Sequence, residues 1–175
     1  SPPMAAAQQT TAPITNAAAG PAGCPAPMKS TRSKAAIMMV AIVTPMRDGV
    51  IHYPALERLY RIHAAAGTDA VVVCGTTGES ATMAHDEHEA LVSHAADFFR
   101  SELKENRPLL IAGTGSNATH EAVSLTSHAV KAGVDAVLVI TPYYNKPTPR
   151  GQVLHFTEVA QAAGDCPVIL YNVPG

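Results

Sequence analysis

The chain contains no tryptophan, and Phe, Tyr and Trp together make up only 5% of its 175 residues. A core built from it relies on aliphatic side chains, with each aromatic placed singly. Charge is also scarce: Asp, Glu, Lys and Arg account for 15%, and the formal net charge is −2. That excludes the basic face of a general nucleic-acid binder. No apolar run reaches the roughly 18 residues that a membrane-spanning helix needs. Cys24, Cys74 and Cys166 are the only cysteines. Their odd number and wide spacing give neither a disulfide framework nor a metal-ligand spacing, which favours a reducing, cytoplasmic compartment.

Acidic residues are missing altogether from residues 1–34, which hold six of the 14 prolines and nine alanines. Such a segment has too little bulky apolar surface to offset the entropy of ordering it, so it reads as a disordered leader. Its Ser/Thr/Ala content, with Lys29, Arg32 and Lys34 near its end, also suits a transit segment, which would place the protein in a plastid. The ordered domain is then 35–175.

Within that domain, short apolar runs alternate with amphipathic stretches. Strands are predicted at Ala36–Val43, Ala70–Cys74, Leu109–Ala112, Ala136–Ile140 and Pro167–Tyr171. They are apolar at both alternating positions, as parallel strands covered on two faces are. Between them, Leu56, Leu59, Tyr60 and His63 mark one helix ending at Gly67. Leu91, Val92, Ala95, Phe98 and Phe99 mark a second, with Asp86 and Glu87 in the acidic first turn that the helix dipole favours. Ala122, Val123, Thr126, Ala129 and Val130 mark a third, and Val153, Leu154, Phe156, Val159 and Ala160 a fourth. Two α/β architectures fit: an open doubly wound sheet, or part of a (β/α)8 TIM barrel. Both place their chemistry at the C-terminal ends of the strands.

Those ends carry small polar loops. Gly75–Ser80 (GTTGES) offers two hydroxyls and backbone amides between flanking glycines, suited to a small carboxylate or phosphate, or simply to a turn. It lacks the lysine of a phosphate-cradling P-loop, and Gly113–Asn117 (GTGSN) lacks the third glycine of a dinucleotide turn. Thr141–Lys146 (TPYYNK) sets Tyr143 and Tyr144 at the fourth tip, and Tyr171 ends the fifth strand. Threonine and tyrosine hydroxyls on one rim suggest proton transfer to a carbonyl compound. His85 and His88 are spaced i, i+3 at a helix start with no third ligand nearby, so they read as solvated or capping residues and no metal site is expected. Cys74 has no evident activating base and reads as structural.

In this order, GTTGES (Gly75–Ser80), AGTGSN (Ala112–Asn117), TPYYN (Thr141–Asn145) and YNVP (Tyr171–Pro174) resemble the 4-hydroxy-tetrahydrodipicolinate synthase (dihydrodipicolinate synthase) family of lysine biosynthesis, from about Ala36 to Gly175. The resemblance implies a (β/α)8 barrel that condenses pyruvate with aspartate 4-semialdehyde through a Schiff base on a lysine, without a cofactor. It assigns Thr76, Tyr144 and Tyr171 to a proton relay, and Thr77 to the pyruvate carboxylate. It implies a homo-oligomer, a dimer or a dimer of dimers, with an interface near Tyr143 and Tyr144. For members inhibited by lysine it implies an effector site at Ser80, Ala81, His85, His88, Asn117, Glu121 and Tyr143. The alternative reading of those seven is ordinary loop and helix-start polarity.

The chain departs from the family pattern in one respect. The Schiff-base lysine belongs at the end of a sixth strand and a substrate-binding arginine after the YNVPG turn, and neither is among the 175 residues. Of Lys29, Lys34, Lys104, Lys131 and Lys146, only Lys146 lies in a loop on the C-terminal side, and nothing marks it as imine-forming. The expectation is five strands of an eight-stranded barrel, with open edges, prone to aggregate and inactive alone. The competing readings are another pyruvate-dependent lyase, such as N-acetylneuraminate lyase or a keto-deoxy sugar-acid aldolase, and a non-catalytic flavodoxin-like module of five strands. The paired threonines and the Tyr143-Tyr144-Asn145 run favour the synthase over the first; the second leaves the hydroxyl rim unexplained.

Overall fold

All five predicted strands form, within a computed structural model that describes residues 37–103 and 106–173. The predicted leader lies outside those residues. In chain order the elements are β1 (Met39–Ala41), β2 (Met46–Arg47), β3 (Val50–Ile51), α1 (Tyr53–Ala66), β4 (Ala70–Val73), α2 (His85–Ser101), β5 (Leu109–Gly113), α3 (Thr119–Ala132), β6 (Ala136–Ile140), α4 (Pro149–Ala163) and β7 (Val168–Tyr171). The short β2–β3 hairpin is not among the sequence expectations. Its turn is Asp48-Gly49, both with positive φ (55° and 77°), the pair of left-handed residues that a tight hairpin turn requires.

Strand order decides between the two architectures. The main sheet runs β1-β4-β5-β6-β7, every neighbour parallel, with no point at which the order reverses. A doubly wound sheet reverses its order and carries helices on both faces. Here the two faces differ. Val71, Val73, Leu110, Ala112, Val137 and Val139 point into the large core shared with the helices. The alternate residues Ala70, Val72, Ile111 and Ala136, with Leu138 and Ile169 beside them, form a second cluster that contains no helix residue. The register aligns this inner face: Val72 lies opposite Ile111, Ile111 opposite Ala136, and Leu138 opposite Ile169. Sequential parallel strands with all helices on one face are the topology of a (β/α)8 barrel, of which this chain forms five strands. The flavodoxin-like alternative is excluded.

The helices end where expected. Gly67 and Gly133 close α1 and α3 in the left-handed conformation, with their amides returning to carbonyls in the last turn. Few aromatics are available, and they are concentrated at the α1–α2 seam, where the Tyr60 ring lies 5.0 Å from Phe99 and 5.5 Å from Phe98. The fourth helix corrects the sequence reading. His155, Val159 and Ala163 form its buried face, whereas Val153, Leu154 and Ala160 are exposed. Among the described residues the extensive helix packing of α4 is against α3, and Val153 and Leu154 stay 65% and 57% exposed.

The N-terminal ends of the strands are tied by carboxylates. Asp69, just before β4, accepts the Met38 amide at 2.9 Å. Asp135, just before β6, accepts the Leu110 amide at 2.7 Å and pairs with Arg107 through two bonds of 2.7 and 2.8 Å. Asp69 thus ties the residue entering β1, and Asp135 satisfies an amide within β5 that burial without a partner would make costly.

Candidate active site and adjoining pocket

The opposite, C-terminal ends are held in unusual backbone conformations. Cys74 (φ 54°) and Glu79 (φ 60°) bracket a single 3-10 turn, Thr76–Gly78, and Tyr144 (φ 66°) and Lys146 (φ 42°) shape the loop after β6. Among the described residues, four of the six non-glycine positions with positive φ therefore sit on this rim. Left-handed conformations cost energy for such side chains and persist where packing imposes them. Close approach of neighbouring tips does so here. A Cβ on Gly113 would lie 2.2 Å from the Cys74 carbonyl oxygen, and one on Gly115 2.4 Å from the Ile140 nitrogen. Both glycines are required because neighbouring backbone occupies the side-chain position.

Thr76 and Thr77 are exposed at the tip of β4. The first internal bond of their turn is donated by Gly78 to Gly75, so the Thr76 and Thr77 amides have no partner within the turn. From beneath, buried Thr44 donates its hydroxyl to the Gly78 carbonyl at 2.8 Å. Thr44 was not among the sequence candidates, since its role depends on a residue 34 positions away. Tyr171 ends β7 half-exposed, and its carbonyl accepts the Thr141 amide at 2.8 Å. Tyr144 projects from the rim, 93% exposed. The three residues assigned to the proton relay thus stand at the ends of β4, β6 and β7, on one rim. Among the described residues, no hydrogen bond joins their hydroxyls. Lys146 is exposed. Cys74 is buried and its thiol is pushed up to about 12 by that burial, as a structural cysteine's would be.

Beside the rim, between the start of α2 and the start of α3, lies a cavity of about 80 Å³. Ser80, Ala81, His85, His88, Glu121 and Tyr143 all line it, so six of the seven residues of the expected effector site are brought together. Asn117 is not among the lining residues; its carbonyl instead accepts the Asn145 side-chain amide at 3.2 Å. Met83, Ala84, Gly115, Ser116 and Leu125 complete the wall, and none of these was a sequence candidate.

Of the two histidines read as solvated or capping, His85 is exposed as expected and His88 is not. His88 is 5% exposed, and its Nε2 is 2.8 Å from the Gly113 carbonyl oxygen. Burial lowers its pKa, opposed in part by that hydrogen bond. It turns inward because i, i+3 and i+4 spacing places it on the face of α2 carrying Leu91 and Val92. His85, one turn earlier, lies at the surface near Ser124 (3.3 Å), Glu89 (3.2 Å) and Glu121 (3.8 Å). Neither caps the helix: the Ala84 amide that opens it is satisfied by the Glu87 carboxylate at 3.0 Å. Among the described residues, no three His, Cys, Asp or Glu side chains are grouped to hold a metal ion.

The sequence profile of the dihydrodipicolinate synthetase family matches residues 34–175, nearly all of the chain outside the N-terminal segment. The chain belongs to that family. Its sequence is 50% identical over 136 residues to the 4-hydroxy-tetrahydrodipicolinate synthase of Aquifex aeolicus, covering 78% of this chain and 44% of the relative. The crystal structure of the Aquifex aeolicus dihydrodipicolinate synthase superposes with a TM-score of 0.73, covering 78% of this chain and 45% of the other. A family structure from Acinetobacter baumannii complexed with pyruvate matches at 43% identity, TM-score 0.71, covering 79% of this chain and 46% of that one. One from Cyanidioschyzon merolae with lysine bound matches at 40% identity, TM-score 0.72, with the same coverage. The chain spans less than half the length of these family members. Among its described residues, no helix is long and apolar enough to cross a membrane.

Proposed function

We propose that this chain supplies the first five strands of a 4-hydroxy-tetrahydrodipicolinate synthase, the lyase of lysine and diaminopimelate biosynthesis that condenses pyruvate with L-aspartate 4-semialdehyde. The single observation that carries this reading is the conjunction, on one rim of a barrel sheet, of the Thr76-Thr77 turn with Tyr144 and Tyr171. The unpaired amides of the turn, with the Thr77 hydroxyl, suit the pyruvate carboxylate. Thr76, Tyr144 and Tyr171 would pass the protons that Schiff-base formation and enamine attack release and consume. The imine-forming lysine lies outside these 175 residues, so the chain alone is inactive. No cofactor takes part. The Acinetobacter baumannii relative's pyruvate complex supports the first substrate.

The adjoining pocket is read as an effector site for lysine, supported by the lysine-bound Cyanidioschyzon merolae relative and by the six expected residues that line the cavity. A homo-oligomer, a dimer or a dimer of dimers, would cover Tyr144, which a lone chain leaves in solvent. A cytoplasmic location suits the burial of Cys74 and Cys166.

A chimera in which residues 34–175 replace the matching part of the Aquifex aeolicus synthase tests the assignment. It is expected to condense pyruvate with aspartate 4-semialdehyde and not to cleave sugar acids to pyruvate. Trapping with pyruvate and borohydride should label the Aquifex-derived portion and leave the 175-residue chain unlabelled by itself. Selective turnover of N-acetylneuraminate would favour the lyase reading instead, and an adduct on Lys146 would overturn the placement of the imine.

A further inference from the structure

The wall of the pocket formed by the β5–α3 loop contains a residue to which neither the motifs nor the proposed mechanism assigns a role. Ser116 is 3% exposed. Its Oγ accepts the Ala118 amide at 3.2 Å, and it donates its one proton to Glu121 Oε2. A hydroxyl has a single hydrogen, so engaging its acceptor side with a backbone amide directs that hydrogen at the carboxylate. Glu121 Oε1 is left as the less engaged oxygen, 3.8 Å from His85 Nδ1.

A second group in the same pocket has matching chemistry. His88 Nε2 faces a carbonyl oxygen, which only accepts, so Nε2 carries the proton. Its Nδ1 is then a bare acceptor, buried and without a hydrogen-bond partner. The pocket therefore offers a carboxylate held by a serine and an imidazole lone pair held by a backbone carbonyl. Both accept; a cationic donor complements them.

We propose that Ser116 is a positioning residue of this pocket, holding Glu121 in the orientation that receives the ammonium group of a bound amino acid. The proposal rests on the reading of the pocket as an effector site. Ser116 acts through Glu121 and touches the ligand's charge only by way of it. Without its hydroxyl the glutamate would lose both its anchor and a charge-assisted bond, and must be ordered at the moment of binding.

The test is calorimetric titration of L-lysine into the completed-barrel chimera carrying the native segment, Ser116→Ala or Glu121→Gln, with pyruvate affinity measured in parallel by borohydride trapping. Ser116→Ala should weaken lysine binding about tenfold, the scale of one hydrogen bond to a charged group, and leave pyruvate affinity unchanged. Glu121→Gln should weaken lysine binding at least as much. Unchanged lysine affinity in Ser116→Ala overturns the proposal. So does an equal loss for lysine and pyruvate, which would mark Ser116 as a purely structural residue. A native chimera that traps pyruvate yet binds no lysine refutes the effector-site reading itself, and the role of Ser116 with it.

Discussion

The two ends of the sheet are built on opposite terms. At the N-terminal end, Asp69 and Asp135 meet the amides of neighbouring strands, and Arg107 closes two bonds on Asp135. At the C-terminal end, the hydroxyls of Thr76, Thr77, Tyr144 and Tyr171 have no hydrogen-bond partner among the described residues, and the backbone beneath them is left-handed at Cys74, Glu79 and Tyr144. One end holds the strands together, and the other keeps these four hydroxyls uncommitted. The division teaches where substitutions should cost stability and where they should cost chemistry.

The strongest test of that division is Gly113→Ala, because it makes the C-terminal end fail as structure. Its Cβ would lie 2.2 Å from the Cys74 oxygen, and the expected loss is at least about 3 kcal/mol, read as a lower urea midpoint or no folded chimera. Gly75→Ala, whose Cβ would meet nothing closer than Val72 Cγ1 at 3.6 Å, should fold normally. Equal behaviour of the two would remove close approach as the reason for the rim's conformation.

Next comes Asp135→Ala at the opposite end, which leaves Arg107 and the Leu110 amide without this partner. The expected cost is about 2–3 kcal/mol, with turnover per folded molecule unchanged. Loss of turnover without loss of stability would erase the contrast between the ends.

Thr44→Val is smaller. It removes the donor to the buried Gly78 carbonyl and should cost about 1 kcal/mol; denaturant titration gives the stability and pyruvate trapping the effect on the turn. His88 adds a pH dependence. Its folded-state pKa lies below the ordinary 6.5, so between the two values the unfolded chain binds a proton that the folded chain refuses. Stability from this source is complete above 6.5 and is lost progressively as pH falls below it. Denaturation curves across that window should flatten in His88→Asn; an unchanged slope would show that the imidazole is not the group responsible.

The smallest effect on stability is expected for Tyr144→Phe. Its side chain is almost wholly exposed, so stability should change by no more than about 0.5 kcal/mol while turnover falls by about 100-fold or more. Retained turnover would take Tyr144 out of the relay.

The elements of the fold were legible because each rests on local information. Gly67 and Gly133 marked helix ends, and runs such as Ala136–Ile140 formed as strands over the whole predicted span. The tip loops were legible as a rim, since parallel strands put their C-terminal ends together. Strand order was not, because hydrophobic periodicity says which face is buried and nothing about which strand is the neighbour. The α4 stripe was misread for a related reason: Val153 and Leu154 are apolar, but no described element covers them. The β2–β3 hairpin did have a signal in Asp48-Gly49, lost because its strands are two residues long. His88, Ser116 and Thr44 were illegible as positioned groups. Their partners lie 25, 5 and 34 residues away, and even the nearest, Glu121 in the first turn of α3, is picked out by no apolar pattern.

The carboxylate ties also bear on how the molecule is made. Each runs backward, from a residue preceding a later strand to the amide of the strand before it, over 31 residues for Asp69 and 25 for Asp135. A polypeptide emerging from the ribosome amino end first therefore delivers each tie only after the amide it satisfies is already present. Each joint closes once the next βα unit has emerged and needs nothing further downstream, so the contact stays between consecutive units, the kind of locality that favours rapid folding. Growth by successive addition, one βα unit locking its predecessor, is thus available to this sheet during translation.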